Sequence, residues 1–350
     1  MTDFARKIVG AVAALLVALT LVGTASAQGM RPAPGQEPSD FMKQQQMGNR
    51  VDANNADVWR SVRRGIEGYA SIPDPRAGVL VQSEGEQWRA FYRGPLKTYG
   101  GWFLGAVVLA LAAFYVLRGR VQIDAGPSRR QILRFGDVDR FVHWLTAVSF
   151  ILLALTGLNM TFGRYVVLPW LGPSAFSAMA DVGKTVHNCV GFAFIAGVAM
   201  TFLIWVKDNI PSGADLVWLL KGGGLMSKGA HLPARKFNGG QKLIFWMVVI
   251  GGATLGYTGL NLMFPFTWGG MKDMQFAVLL HAGVAIAMVG IIVAHIYIGS
   301  LGMEGAFDAM GTGYVDENWA RQHHSIWVAE TLGEPVPGEG HADHGSRQHA

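Results

Sequence analysis

Four histidines stand inside apolar stretches. The segment LLHAGVAIAMVGIIVAHIYIG, residues 279–299, carries His281 and His295 and no charged side chain. His143 and His187 open two further apolar blocks. A polar ring in hydrocarbon is costly, and it marks a functional site when a partner can be named. Imidazole offers a hydrogen bond to a neighbouring helix, a proton path, or a bond to a metal.

Spacing narrows the choice. The fourteen residues between His281 and His295 separate the rings by about 21 Å along a helix at ~1.5 Å per residue. At ~100° per residue the two side chains differ in direction by only about 40°, so both face the same way. A single intramembrane histidine is adequately explained by a hydrogen bond to a neighbour. Four of them, matched in depth, are not. A cation or proton transporter normally adds acidic groups within its spans, and none of the apolar blocks contains Asp or Glu.

The elements that must position these rings are five apolar blocks, near residues 99–117, 142–162, 186–206, 243–263 and 276–299. Each reaches the ~20 residues needed to span a bilayer as a helix. The whole chain of 350 residues is 51% hydrophobic and only 15% charged, below the roughly 25% usual for soluble domains. The connections 118–141 and 207–242 are rich in Arg and Lys, whereas 163–185 and 264–275 hold only Arg164, Lys184 and Lys272. Basic connections stay in the cytoplasm, so the first helix is predicted to run inward and the carboxyl end to lie inside. The basic residues are read here as topology markers. The net charge of +5 therefore carries no implication of nucleic acid.

This topology puts His187 and His281 at an outer level and His143 and His295 at an inner one. Two nitrogens per level, drawn from different helices, are the axial ligands that two stacked haems require. Gly191, Gly283 and Gly299 lie near the rings and offer clearance for a porphyrin. The single cysteine, Cys189, excludes an intrachain disulfide, a cysteine-held iron–sulfur cluster and a C-x-x-C-H haem attachment. The expected fold is thus all-α: a four-helix transmembrane dihaem core over 142–300, preceded by one extra helix, 99–117, and a cytoplasmic linker, 118–141.

Outside the core, residues 1–27 resemble a signal peptide, with Arg6 and Lys7 before an apolar run and Ala25-Ser26-Ala27 as a small-residue cleavage site. An uncleaved anchor is the alternative. Residues 28–98 then form an extracytoplasmic segment, and 301–350 a cytoplasmic tail. His323 and His324, beside Trp319 and Trp327, come too late in the chain to reach either level and suit an interfacial anchor. A weak internal repeat is visible: Trp144 and Trp246 are each followed twelve residues later by Thr-Gly-Leu-Asn.

The stretches VDRFVHW, KTVHNCVGF, RKFNGGQKLIFW, LLH and AHIY, with GYVDENWARQHHSIW, resemble the gamma, or cytochrome b, subunits of membrane-bound formate dehydrogenases. Cytochromes b of nickel–iron hydrogenases and thiosulfate reductases are related. QSEGEQWRAFYRGPL resembles the longer members that carry an export signal and an additional helix. The resemblance implies haem b at both levels, with His143 and His295 on the cytoplasmic side and His187 and His281 outside. It also implies a quinone pocket (menaquinone or ubiquinone) formed by Asn238, Gln241 and His295 at the inner membrane face. The implied partners are an iron–sulfur beta subunit, a molybdenum- or tungsten-bearing alpha subunit that oxidises formate, and membrane lipid. Formate chemistry itself has no residues in this chain. The rival expectations are a cytochrome b serving hydrogenase or another quinone-linked dehydrogenase, and a haem-free transporter or anchor.

Overall fold

A computed structural model describes residues 85–224 and 232–336. The signal segment, most of the segment 28–98, and the tail histidines His341, His344 and His349 lie outside the described residues. The chain divides into two units, Met1–Ala90 and Phe91–Ala350. The described part of the first is the start of a short helix, α1 (Gly85–Phe91). The four core histidines belong to the second.

In the second unit a π-helical turn, Tyr92–Leu96, leads into α2 (Lys97–Arg118). A short strand, β1 (Gln131–Leu133), precedes the long helices α3 (Asp137–Val166) and α4 (Leu168–Trp205). After the short α5 (Gly213–Leu220) come α6 (Gly239–Met263) and α7 (Met271–Tyr297). The chain closes with α8 (Asp308–Gly311), β2 (Tyr314–Asp316), α9 (Glu317–His323) and α10 (Ser325–Leu332). Among the described residues, five stretches are long and apolar enough to cross a membrane: Gly85–Arg118, Asp137–Val166, Leu168–Trp205, Gly239–Met263 and Met271–Gly302.

The spanning helices start where side chains satisfy their exposed N–H groups. Asp139 accepts from Gly136 N at 3.1 Å, and Asp273 from Gly270 N at 2.7 Å. An acid there also complements the positive end of the helix dipole. The connection 163–185 is itself largely helical. α4 is broken only at Gly172, whose φ of 73° suits a residue without Cβ, and Pro173 then opens the long part of the helix.

α3 packs on α4, α6 on α7 and α4 on α6, while α2 lies against α7. Small residues set the close approaches, as is usual between membrane helices. A Cβ on Gly252 of α6 would come 2.7 Å from Val198 Cγ2 of α4, and one on Gly290 of α7 would come 2.5 Å from the ring of Phe103 of α2. Phe150, Phe194, Val198, Leu255 and Met288 form an apolar cluster drawn from all four core helices. By chain position they separate the two histidine levels.

The linker and the tail fold together. β1 and β2 pair antiparallel, with Gln131 opposite Asp316 and Leu133 opposite Tyr314, and a bridge joins Val121 to Met303. Asp316 accepts from Ser128 Oγ and Arg129 N with one oxygen, both at 3.0 Å, and from Asn318 N at 2.9 Å with the other, which caps α9. Arg140 and Trp144 of α3 donate to the carbonyls of Gly311 and Met310. A second apolar cluster, including Phe135, Trp205, Phe237, Phe245, Val315 and Trp319, fills the space between this cap and the bundle.

Candidate functional site

The bundle brings the four histidines together in two pairs. The rings of His187 on α4 and His281 on α7 have centroids 6.3 Å apart. Those of His143 on α3 and His295 on α7 are 6.4 Å apart. These are the pairs that depth along the chain predicts, and each joins two different helices.

The separation has a chemical meaning. Two rings ligating one ion from opposite sides each contribute a metal–nitrogen bond of about 2 Å and about 1 Å more to the ring centre, so their centroids stand about 6 Å apart. Both pairs match. Among the described residues no group of three or more His, Cys, Asp or Glu side chains comes together as a metal site. Protein-only sites such as zinc centres need three or four such ligands. A pair of imidazoles fits an ion whose remaining bonds come from a macrocycle, which is the arrangement of bis-histidine haem.

At the His187–His281 level each imidazole is also oriented from behind. Thr156 Oγ1 lies 2.8 Å from His187 Nδ1, and Thr258 Oγ1 lies 2.9 Å from His281 Nδ1. Both hydroxyls donate to the carbonyl four residues back, Thr156 to Leu152 and Thr258 to Thr254, each at 2.7 Å. With its own proton on a carbonyl, each threonine is placed to accept from Nδ1–H, the tautomer that leaves Nε2 with the bare lone pair a metal requires. The following glycines seat the rings: a Cβ on Gly157 or Gly259 would lie 3.4 Å from Cε1 of His187 or His281.

These four residues are the Thr-Gly of the repeated Thr-Gly-Leu-Asn. Sequence reasoning singled out the repeat but not its task. Of the glycines predicted to give clearance, Gly191 and Gly299 do face open space, whereas Gly283 faces Leu96. The repeat's asparagines, Asn159 and Asn261, each hold a buried Oδ1 without a hydrogen-bond partner.

The other level is built differently. His143 Nδ1 is buried and has no partner. Both rings line a cavity of about 1100 Å³, whose wall also includes Arg134, Asn238, Gln241 and His324. Asn238 and Gln241 form a reciprocal cap on α6: Gln241 N donates to Asn238 Oδ1 at 3.0 Å, and Asn238 N donates to Gln241 Oε1 at 3.1 Å. Their amide oxygens serve the helix end, and their NH2 groups take no part in the cap.

His324 is not at an interface. It is 1% exposed and places Nδ1 2.8 Å from the Arg235 carbonyl. Because the tail is drawn under the bundle by β1–β2, a residue distant in sequence joins the cavity wall. Burial holds His324 well below the usual histidine range, and the Arg134 cation adds to that effect.

Residues 134–313 match the model of the prokaryotic cytochrome b561 family. The chain is similar to the nitrate-inducible formate dehydrogenase cytochrome b556(Fdn) subunit of Escherichia coli K12, 29% identical over 205 residues, covering 57% of this chain and 92% of that protein. It is 28% identical over 204 residues to the formate dehydrogenase cytochrome b556(fdo) subunit of the same strain, covering 58% and 94%. The formate dehydrogenase cytochrome b556 subunit of Haemophilus influenzae is 26% identical over 211 residues, covering 58% and 84%.

Proposed function

The chain belongs to the prokaryotic cytochrome b561 family, and from that premise we propose that it is the membrane electron-transfer subunit of a formate dehydrogenase complex. It is a multi-pass membrane protein with five spanning helices, and its family implies haem b. The observation that carries the reading is the spacing of the two histidine pairs, 6.3 and 6.4 Å between centroids.

In this proposal His143 and His295 hold one haem near the cytoplasmic face, and His187 and His281 hold a second near the outer face. Haem, when bound, supplies reversible one-electron redox chemistry. Thr156 and Thr258 fix the tautomer of the outer imidazoles. The apolar cluster around Phe150, Phe194 and Met288 keeps water out of the space between the levels. The chain carries electrons inward from an iron–sulfur beta subunit, which receives them from a molybdenum- or tungsten-bearing alpha subunit oxidising formate. The names of the relatives, cytochrome b556 subunits of formate dehydrogenases, support the membership of a formate dehydrogenase complex.

The acceptor is a quinone, menaquinone or ubiquinone, in the cavity beside His295. The NH2 groups of Asn238 and Gln241 donate to a quinone carbonyl. Two electrons and two protons then convert quinone to quinol, the protons coming from the cytoplasmic side on which the cavity lies in the predicted orientation. Residues 1–27 are the export signal of this arrangement, residues 28–98 are extracytoplasmic, and the carboxyl end is on the cytoplasmic side.

The test is a reduced-minus-oxidised spectrum of the purified chain, followed by formate addition to membranes that contain the whole complex. Two b-type haems per chain, reduced by formate, are expected. A colourless chain made with ample haem supply overturns the cytochrome reading. Haem that hydrogen reduces and formate does not assigns the chain to a hydrogenase instead.

A further inference from the structure

Among the described residues, Arg134 is a cation without a counter-anion. It is 5% exposed. One terminal nitrogen donates to the Lys236 carbonyl at 2.7 Å and more weakly to Gln241 Oε1 at 3.4 Å. The other two guanidinium nitrogens, Nε and Nη1, are buried and have no partner among the described residues. Among the described residues Arg134 forms no ion pair. Its guanidinium carbon lies 5.1 Å from the ring centroids of Phe135 and Trp319, and 5.7 Å from that of Trp327.

Aromatic faces ease the burial of a guanidinium, but they do not neutralise it. Burial alone pulls Arg134 down to about 9. A buried charge lacking its partner costs several kcal/mol, roughly the loss seen when one member of a buried pair is removed. Trp319 Nε1, also buried, lacks an acceptor too. His324 packs beside Trp319 at a tilt of 44°, with centroids 5.5 Å apart, and its neutral ring brings no negative charge. Arg134, Trp319 and His324 all line the cavity that holds His143 and His295. Three nitrogen donors without a partner among the described residues thus belong to neighbouring side chains of this cavity, whose lining carboxylate, Asp124, forms no ion pair with Arg134.

We propose that Arg134 and Trp319 form a carboxylate-binding site, and that its ligand is a propionate of the haem held by His143 and His295. The inference rests on the haem reading above. Haem b carries two carboxylates, whereas a quinone is neutral and would satisfy the donors without balancing the charge. Charge-assisted hydrogen bonds from arginine to carboxylate are the strong kind. Arg134 therefore differs from Arg130 and Arg140 of the same connection, which pair with the carboxylates of Glu317 and Asp137. It positions a haem and raises that haem's affinity for an electron.

The experiment is a potentiometric titration of both haems in membranes holding the full complex, comparing wild type with Arg134→Gln, Arg134→Lys and Trp319→Phe. Loss of a cation beside a propionate disfavours added negative charge. Arg134→Gln is expected to lower the reduction equilibrium of one haem at least tenfold, about 59 mV for one electron, and to leave the other in place. Arg134→Lys should shift the same haem less. Trp319→Phe, which keeps the ring packing, should also shift it less, and it serves if Arg134→Gln does not accumulate. Unchanged potentials with both haems bound overturn the proposal. So does a weakened apparent affinity for added quinone with both potentials unmoved, which assigns the donors to the quinone. Absence of b-type bands in wild type defeats the haem reading itself, a different result from either.

Discussion

Thr156 Oγ1 lies 2.7 Å from Leu152 O and 2.8 Å from His187 Nδ1, placed to donate to the carbonyl while accepting from the ring. Thr258 repeats this on His281. Among the described residues no threonine bond of this kind is found at the other level, where His143 Nδ1 is buried without a partner. The two histidine pairs therefore have matching separations and different electronic surroundings. A hydrogen bond at Nδ1 makes the imidazole a better donor to a metal.

Thr156→Val or Thr258→Val removes this bond while keeping the shape of the side chain. The expected outcome is a roughly 10–100-fold weaker hold on one haem, with the other unaffected. Thr→Ser at either position should restore it. Haem loss to a competing haem-binding protein, followed by absorbance, measures the effect. Equal retention by the valine and threonine forms would remove the positioning role.

His187→Ala or His281→Ala should each yield protein with one haem instead of two, and so should His143→Ala or His295→Ala. The haem lost must be the same within each pair and different between pairs. Pyridine haemochrome content and low-temperature difference spectra give the count and the identity. Two intact haems after any of these changes would refute the assigned pairing.

Asn238 both caps α6 and, in the proposed function, donates to quinone. Asn238→Asp separates the two, because aspartate is as good a cap as asparagine and has no NH2 group. The melting temperature in detergent should stay nearly constant while the apparent quinone affinity falls about tenfold, the loss of roughly 1.4 kcal/mol expected for one hydrogen bond. Asn238→Ala should lower both, the cap costing about 1 kcal/mol. An aspartate variant with unaltered quinone kinetics would leave Asn238 a purely structural role.

Asp316 ties β2, α9 and the Ser128 turn together. Burial tends to raise its pKa, but hydrogen bonds from Ser128, Trp319 and Asn318 prevail and hold it below the ordinary value of 3.8. A carboxylate depressed on folding stabilises the cap fully above its unfolded pKa, and that contribution fades as pH falls through the folded value. Wild type should therefore keep the cap resistant to proteolysis at neutral pH and lose protection in strong acid. Asp316→Ala should lose about 0.5–2 kcal/mol from the missing helix cap at neutral pH, and its remaining stability should respond less to acid. Limited proteolysis across pH reports both.

Much of the architecture was legible in the chain. The lengths of the apolar blocks required five helices, because hydrocarbon permits no unpaired backbone and leaves the helix as the simplest answer. Helix ends were less legible. The connection 163–185 is helical except at Val167, where α3 gives way to α4, and at Gly172, where Gly-Pro breaks the hydrogen-bond ladder. The repeat pointed at residues 156–159 and 258–261 without saying why. Its threonines find their histidines 31 and 23 residues away, on neighbouring helices.

Periodicity along one chain fixed which side chains share a face and a depth. On those grounds alone His281 and His295 had to point the same way, and His187 and His143 had to match them in level. How adjacent helices rotate about their own axes is set by packing, through contacts such as Gly252 on Val198, and no pattern within a single helix encodes it. That rotation brought the rings to 6.3 and 6.4 Å and set Thr156 and Thr258 behind one pair only. The pairing of β1 with β2 likewise drew Trp319 and His324 to Arg134 across nearly two hundred residues, a meeting that tertiary structure decided because local sequence carries no measure of such distance.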